Sequence, residues 1–433
     1  MKKLIYLLTI LIFPSLLAAQ NYYFPPNDDD TWETITPTDA GICSDELDGL
    51  YTYLEEKNTK AFIVLKDGKI AIEQYFDGFG KDSIWYWASA GKTVTGLLVG
   101  IAQEEGLLDI DDKTSDYLGA GWTSLTTEKE NLITIRHQLA MTTGLDDDVA
   151  DADCLEPACL NYLTDPEDRW SYYNAPYRLL QDVIENASGQ NLNVYTYLKL
   201  MNKIGAGGAW FNRIFFSTPR DMARFGSLII NQGTWDGTPV LSDQNFINEM
   251  INTANSHNLS YGYLWWLNGK GTYMLPQTQF VFNNDLVPNA PDDLYAALGK
   301  NDQKLYIVPS QNLVVVRMGD DAGNIQLALS SFDNELWGIL SDVLCESTTS
   351  TETLPSNRLK IYPNPVGDVL LFDGTHDLEN TNVRIFNTLG QEVINAPITN
   401  GQLDVSDLAK GNYIIQFLRV GENSWQTAKF TKM

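Results

Sequence analysis

Histidine is nearly missing from this chain: 433 residues hold three, His137, His257 and His376. Imidazoles that few and that far apart give a metal centre nothing to build on. Cysteine is scarce as well, with four residues and no C-x-x-C pair, which removes the zinc-ribbon and dithiol-redox motifs. Positive charge is short: 29 Lys and Arg stand against 56 Asp and Glu, and a net charge of −27 repels polyanions, so nucleic acid and anionic lipid are excluded as partners. A membrane-spanning run is lacking too. The most apolar stretch, Leu4 to Leu17, is about fourteen residues long and is interrupted by Pro14. Lys2-Lys3 before it and Ala18-Ala19-Gln20 after it complete a secretory signal, so residues 1–19 are read as a signal peptide and the mature chain as an exported one. Outside the cytoplasm the cysteines are expected to be oxidised. Four allow three connectivities; the short loop between Cys154 and Cys159 favours that pair, which leaves Cys43 with Cys345.

What is present supports a folded protein of two domains. The length exceeds one ordinary core, and 44% of the residues are hydrophobic. Ser44 to Leu54 carries apolar residues at 47, 50, 51 and 54, a helical stripe. The segments 61–65 and 70–76 read as strands joined by Lys66-Asp67-Gly68-Lys69, where Asp-Gly predicts a tight hairpin. A helical stretch follows, with Gly106 as its stop, and residues 134–145 predict a short helix ending at Gly144. In Thr218-Pro219-Arg220-Asp221 the threonine caps a helix and proline takes its first position. Strands return at 261–267, 294–299, 304–308 and 313–317, and a helix near 331–344 closes the domain. Helix, two strands, helical insert, further strands, helix: this order describes an α+β fold, an antiparallel sheet flanked by helices from both chain ends, with a helical subdomain.

Chemistry concentrates at Ser89-Ala90-Gly91-Lys92. Residues three apart on a helix share a face, so the Ser89 hydroxyl and the Lys92 amine meet if a helix starts at or just before Ser89. A serine hydroxyl needs a neighbour that takes its proton, and a lysine can do so once its pKa falls by roughly 3 units from about 10.4. Tyr172, two residues before Asn174, is a candidate second group, a phenol that ionises or relays a proton beside cations. His137 is read as structural, since no partner acid stands at a recognisable spacing. Asp146, Asp147, Asp148, Asp151 and Asp153 lack the spacing and the glycine of a calcium loop, so this segment is read as a solvated loop without metal. The aromatics at 85, 87, 265 and 266 either line an apolar pocket or pack the core.

From about residue 40 to 345 the chain resembles the serine β-lactamase and penicillin-binding superfamily, on its class C and esterase side. Ser89-x-x-Lys92, Tyr172-x-Asn174 and a strand at 294–299 come in that family's order, supported by Thr134-Ile135-Arg136-His137 and Met141-Thr142-Thr143-Gly144-Leu145. The third motif departs from the pattern: Ala297-Leu298-Gly299 replaces the Lys/His-Thr/Ser-Gly that holds a β-lactam or peptidoglycan carboxylate. The stretches 295–309 and 261–266 look closer to the 6-aminohexanoate-dimer hydrolase branch. The resemblance implies that Ser89 attacks an acyl carbon, that Lys92 accepts its proton, that Tyr172 relays it to the leaving group and that Asn174 positions substrate or Lys92. It also implies an oxyanion site between the backbone N–H groups of Ser89 and of Lys300, just after Gly299 on the edge strand, and no metal or cofactor. The substrate is then a small amide or ester; a DD-peptidase, a β-lactamase or a non-catalytic binding relative are the alternatives.

Residues 346–357 are a polar linker without periodicity. Beyond it, residues 358–433 alternate short strands and turns, which predicts a small all-β sandwich. Tyr362-Pro363-Asn364-Pro365, the Gly411-Asn412-Tyr413 strand and the Lys429-Phe430-Thr431-Lys432 ending resemble the sorting domain of type IX secretion substrates. That resemblance implies export through the periplasm to the cell surface or beyond, with the secretion machinery as partner; an accessory carbohydrate-binding sandwich is the alternative. Acidic and basic residues nearly balance here, so the negative charge belongs to the larger domain.

Overall fold

The computed structural model describes residues 22–323, 329–345 and, towards the C-terminus, 361–362, 366–372, 382–387, 392–399, 401–417 and 426–432. The expected signal peptide, residues 1–19, and the expected linker, residues 346–357, lie outside these residues. The chain divides into two compact units, residues 1–346 and 347–433.

In the first unit, β1 (Thr59–Lys66) and β2 (Lys69–Tyr75) form the expected hairpin. Asp67 and Gly68 both take positive φ, 51° and 82°, the geometry in which a two-residue turn follows the strand twist. A side chain could not replace Gly68, because a Cβ there would lie 1.9 Å from the Tyr23 carbonyl oxygen. The sheet is completed by β3 (Trp266–Leu267), β4 (Tyr295–Gly299), β5 (Gln303–Val308) and β6 (Leu313–Gly319), all antiparallel, in the order β2-β1-β6-β5-β4-β3. β4, β5 and β6 are buried along their whole length, as expected of strands covered on both faces. Helices α1 (Leu47–Glu56) and α5 (Ser331–Val343) come from opposite ends of the domain, and the Cys43–Cys345 bridge ties their outer ends together. The other bridge is Cys154–Cys159, the pair its short loop favoured, and Cys43–Cys345 is the pair that choice left.

Helix α2 (Lys92–Glu104) is buried from Lys92 through Ala102, so it is a core helix with no solvated face over that span. It packs against α3 (Asn174–Ser188), and Gly106 past its end takes the left-handed conformation expected of its stop. Helix α4 (Pro219–Ile230) starts with the capping box of Thr218 and Asp221.

Three local expectations need correction. The helix expected over 134–145 spans only Ile135–Leu139, because Met141 turns left-handed at φ 61° well before Gly144. The strand expected over 261–267 shrinks to Trp266–Leu267: Gly262 is pressed against the Met250 carbonyl, and Leu264 takes a positive φ that breaks the extended run. β4 is not the edge strand either. β3 lies outside it, but pairs only with Tyr295 and Ala296, so the Gly299 end of β4 stays uncovered by the sheet.

Among its described residues the second unit has two antiparallel sheets. One joins strands 361–362, 369–372 and 402–404, and the other joins 392–397, 382–387, 411–417 and 426–432 in that order. Leu370, Phe372 and Leu403 of the first share a core with Val383, Ile385, Ile415 and Phe430 of the second, which makes the small sandwich.

Candidate active site

Ser89 sits on a 3-10 turn, Ala88–Gly91, that runs directly into α2. The turn is clamped at its entrance: the Trp87 N–H donates to the Phe215 carbonyl at 2.8 Å and its indole donates to Ser217 at 2.9 Å. Ala88 is held at φ 47°, a left-handed conformation that a residue with a side chain adopts only when its surroundings impose it. The other wall is Gly299. A Cβ on it would lie 2.4 Å from the Trp87 oxygen and 3.1 Å from the Ala90 nitrogen, so only glycine lets β4 approach the serine turn this closely. Lys300 follows, exposed, at the start of a turn in which Asn301 and Asp302 both take positive φ.

Lys92 is 3% exposed, and its Nζ lies 2.9 Å from Ser89 Oγ and 2.9 Å from Asn174 Oδ1. Both partners are neutral oxygens. The Tyr172 and Tyr177 rings flank the amine, with centroids 4.9 and 4.3 Å from Nζ. Burial, helped by the Arg178 guanidinium and partly offset by the Asp153 carboxylate, pushes the Lys92 pKa down to about 7. Tyr172 behaves in the opposite sense. Burial holds its phenol well above the usual tyrosine value, and its hydrogen bond to Ser89 offsets this only in part. A neutral phenol touching the serine is suited to relaying a proton rather than ionising. Behind it, Trp266 stacks on Tyr172 at 5.7 Å, and Trp170 and Tyr261 complete an aromatic box whose three outer members are buried. Of the four aromatics read as pocket or core, Trp87, Trp265 and Trp266 are buried and Trp85 is half-buried.

The structure thus brings together Ser89, Lys92, Tyr172 and Asn174, and sets Gly299 against the turn that carries Ser89. It keeps His137 away from this group. His137 completes the capping box of Thr134, and it has an acidic neighbour after all, Glu167 at 3.5 Å, which no sequence spacing announced. Three contributors went unread. Tyr177 and Arg178 lie three and four residues beyond Asn174 on α3, so helical spacing could have placed them beside it. Asp153, taken as a solvated loop acid, accepts a hydrogen bond from Asn174 Nδ2 at 2.9 Å and pairs with Arg178 at 3.2 Å.

Ser89 is half-buried and Lys92 buried at the head of a core helix, and the antiparallel sheet with helices on it beside them is that of the β-lactamase and transpeptidase fold. The comparisons agree. Residues 54–213 match the Beta-lactamase family and residues 360–431 match the secretion system C-terminal sorting domain. The chain therefore carries a Beta-lactamase family domain followed by a sorting domain, which directs it by type IX secretion to the cell surface or outside. An uncharacterized protein of Alkalihalophilus pseudofirmus is 24% identical over 277 residues, covering 56% of this chain and 76% of its own. Among solved structures, a candidate 6-aminohexanoate-dimer hydrolase from Bacillus anthracis aligns with a TM-score of 0.55 at 18% identity, over 74% of this chain and 88% of that one. A candidate β-lactamase from Bacteroides dorei gives 0.54 at 15% identity, over 70% and 99%. A penicillin-binding protein homologue from Caulobacter crescentus gives 0.52 at 13%, again over 70% and 99%. At these identities the likeness is one of fold.

Proposed function

We propose that this protein is an exported serine hydrolase that cleaves a small amide or ester through an acyl-enzyme on Ser89. The observation that carries the reading is the buried amine of Lys92, 2.9 Å from the Ser89 hydroxyl, with a pKa lowered to about 7. Near neutral pH such an amine has a free lone pair for the serine proton. Ser89 Oγ bonds to the acyl carbon as its proton passes to Lys92 Nζ. The oxyanion that forms is met by the backbone N–H groups of Ser89 and Lys300, each such donor being worth about 2.7 to 4 kcal/mol in the transition state. The carbon-to-leaving-group bond then breaks, and the departing amine or alcohol takes the proton back from Lys92 through the Tyr172 hydroxyl. Water attacks the acyl-Ser89 carbonyl, gives its proton to the same pair, and the carboxylic acid leaves with Ser89 restored.

The class of substrate follows from β4. Ala297, Leu298 and Gly299 are buried and apolar, so this end of the strand offers no side-chain cation or hydroxyl to a substrate carboxylate. That favours an ester or a linear amide, in the manner of the 6-aminohexanoate-dimer hydrolase branch, over a β-lactam or a D-Ala-D-Ala peptide. The test is a panel of p-nitrophenyl esters, linear amino-acid amides, nitrocefin and a D-Ala-D-Ala peptide, run on the mature protein beside its Ser89→Ala variant. Turnover of esters or amides that vanishes in the variant, with fluorophosphonate labelling lost in parallel, supports the reading. Labelling that persists in Ser89→Ala contradicts it.

A further inference from the structure

Asp153 stands next to Cys154, on a loop that sequence alone reads as solvated. Its carboxylate nonetheless reaches the site: Oδ1 accepts from Asn174 Nδ2 at 2.9 Å and lies 3.2 Å from Arg178, while Asn174 Oδ1 accepts from Lys92 at 2.9 Å. The direction of this chain matters. A carboxamide has one accepting and one donating end, and a carboxylate only accepts, so Asp153 fixes which end faces Lys92. With Oδ1 toward the lysine, Asn174 takes an N–H of the neutral amine and leaves its lone pair for Ser89. Turned over, the Asn174 N–H groups would compete with the serine proton for that lone pair. The loop itself is anchored: Cys154 and Cys159 are bridged, Asp147 pairs with Arg169 at 2.8 Å, and the Cys159 carbonyl accepts from Tyr173 at 3.2 Å.

We propose that Asp153 is a positioning residue for the Ser89–Lys92 pair, selecting the Asn174 orientation that frees the lysine lone pair, and that the Cys154–Cys159 bridge holds the loop from which it reaches. This rests on the hydrolase reading above. The groups facing Lys92 are Ser89 on the serine turn, Tyr172 and Asn174 ahead of and at the start of α3, Tyr177 and Arg178 within α3, and Asp153 on the loop. Arg178 and Asp153 are the charged ones and act in opposite directions, which supplies a signature that structural support alone would not.

The experiment measures p-nitrophenyl ester hydrolysis and the rate of Ser89 labelling by a fluorophosphonate across pH 5 to 9, in the full mature chain. Asp153→Ala is expected to lower kcat by roughly ten- to a hundredfold, the scale of a misplacement of about 1 Å, with KM nearly unchanged. Asp153→Asn removes the carboxylate that holds the lysine proton on, so the acid limb should move to lower pH. Arg178→Gln removes the opposing cation, so the limb should move to higher pH. Because the Asp153 side chain is 47% exposed, each shift should be modest, about half a unit. The double variant Cys154→Ser/Cys159→Ser leaves every contacting side chain in place and should lower kcat in the same manner. Should Asp153→Ala lose its thermal transition, that double variant and Asp153→Asn carry the test. Wild-type kcat and an unmoved limb in Asp153→Asn, with wild-type Ser89 labelled normally, would overturn this inference alone; absence of Ser89 labelling in the wild type would overturn it together with the hydrolase reading.

Discussion

Two lysines are buried in the larger domain to nearly the same degree, and their hydrogen-bonding surroundings are opposite in kind. Lys92 is 3% exposed and, among the described residues, has the neutral oxygens of Ser89 and Asn174 as its hydrogen-bond partners, so burial outweighs the partial offset from the more distant Asp153. Lys304 is fully buried on β5 between two carboxylates, Asp302 at 3.0 Å and Asp333 at 2.8 Å, themselves 1% exposed. The triad is bonded further: Asp333 accepts from Tyr306, Asp302 accepts from Ser330, and Arg317 donates to the Asn301 and Asp302 carbonyls. The oxygens that receive the amine differ: two neutral ones at Lys92, two carboxylates at Lys304.

The comparison breaks first on activity. Lys92→Met should cut kcat/KM for an ester by roughly 10²–10⁴-fold, the contribution of a positioned general base, while the melting temperature holds or rises. Lys304→Met should do the reverse. Leaving Asp302 and Asp333 buried without their counter-ion should cost about 3–5 kcal/mol of stability, read by chemical denaturation, with Ser89 still labelled in whatever stays folded.

A second test uses pH. Between about 7 and the ordinary lysine value of 10.5 the unfolded chain binds a proton at Lys92 that the folded chain does not. Wild-type stability relative to Lys92→Met should therefore increase as pH rises through that window, by up to about 1.4 kcal/mol for each unit between the two values. Below pH 7 both states are protonated, and the difference should be flat at its least favourable level for the wild type. Denaturation curves for the pair at pH 6, 8 and 10 check the sign; a difference that did not change with pH would mean an unshifted lysine.

The smallest effect sharpens the link between the regions. The turn after Gly299 is held by the Lys304 triad and Arg317, while Gly299 itself touches the serine turn. Gly299→Ala forces a Cβ to within 2.4 Å of the Trp87 oxygen. It should cost about 1–3 kcal/mol of stability and lower kcat, with the lysine-dependent acid limb unmoved.

Much of this was legible in the chain because the determinants are local. Asp67-Gly68 dictates its turn, Thr218-Pro219 its helix start, and the spacing of Ser89 and Lys92 their meeting. The failures share a physical cause, which is contact across distant sequence. Met141 and Leu264 adopt left-handed backbone under tertiary packing, ending a helix and a strand that periodicity would extend. Asp153 is one acid among five neighbours, and nothing short of folding brings it to Asn174, 21 residues away. Lys304 reads as an ordinary strand lysine until α5 delivers Asp333 to it.

The central claim is that Lys92 is uncharged near neutral pH beside Ser89. An NMR titration of the mature protein carrying ¹³C at the lysine ε-carbons, with Lys92 assigned by its loss in Lys92→Met, measures this directly. A Lys92 midpoint near 7 is predicted; a midpoint at the ordinary 10.5 would contradict the account.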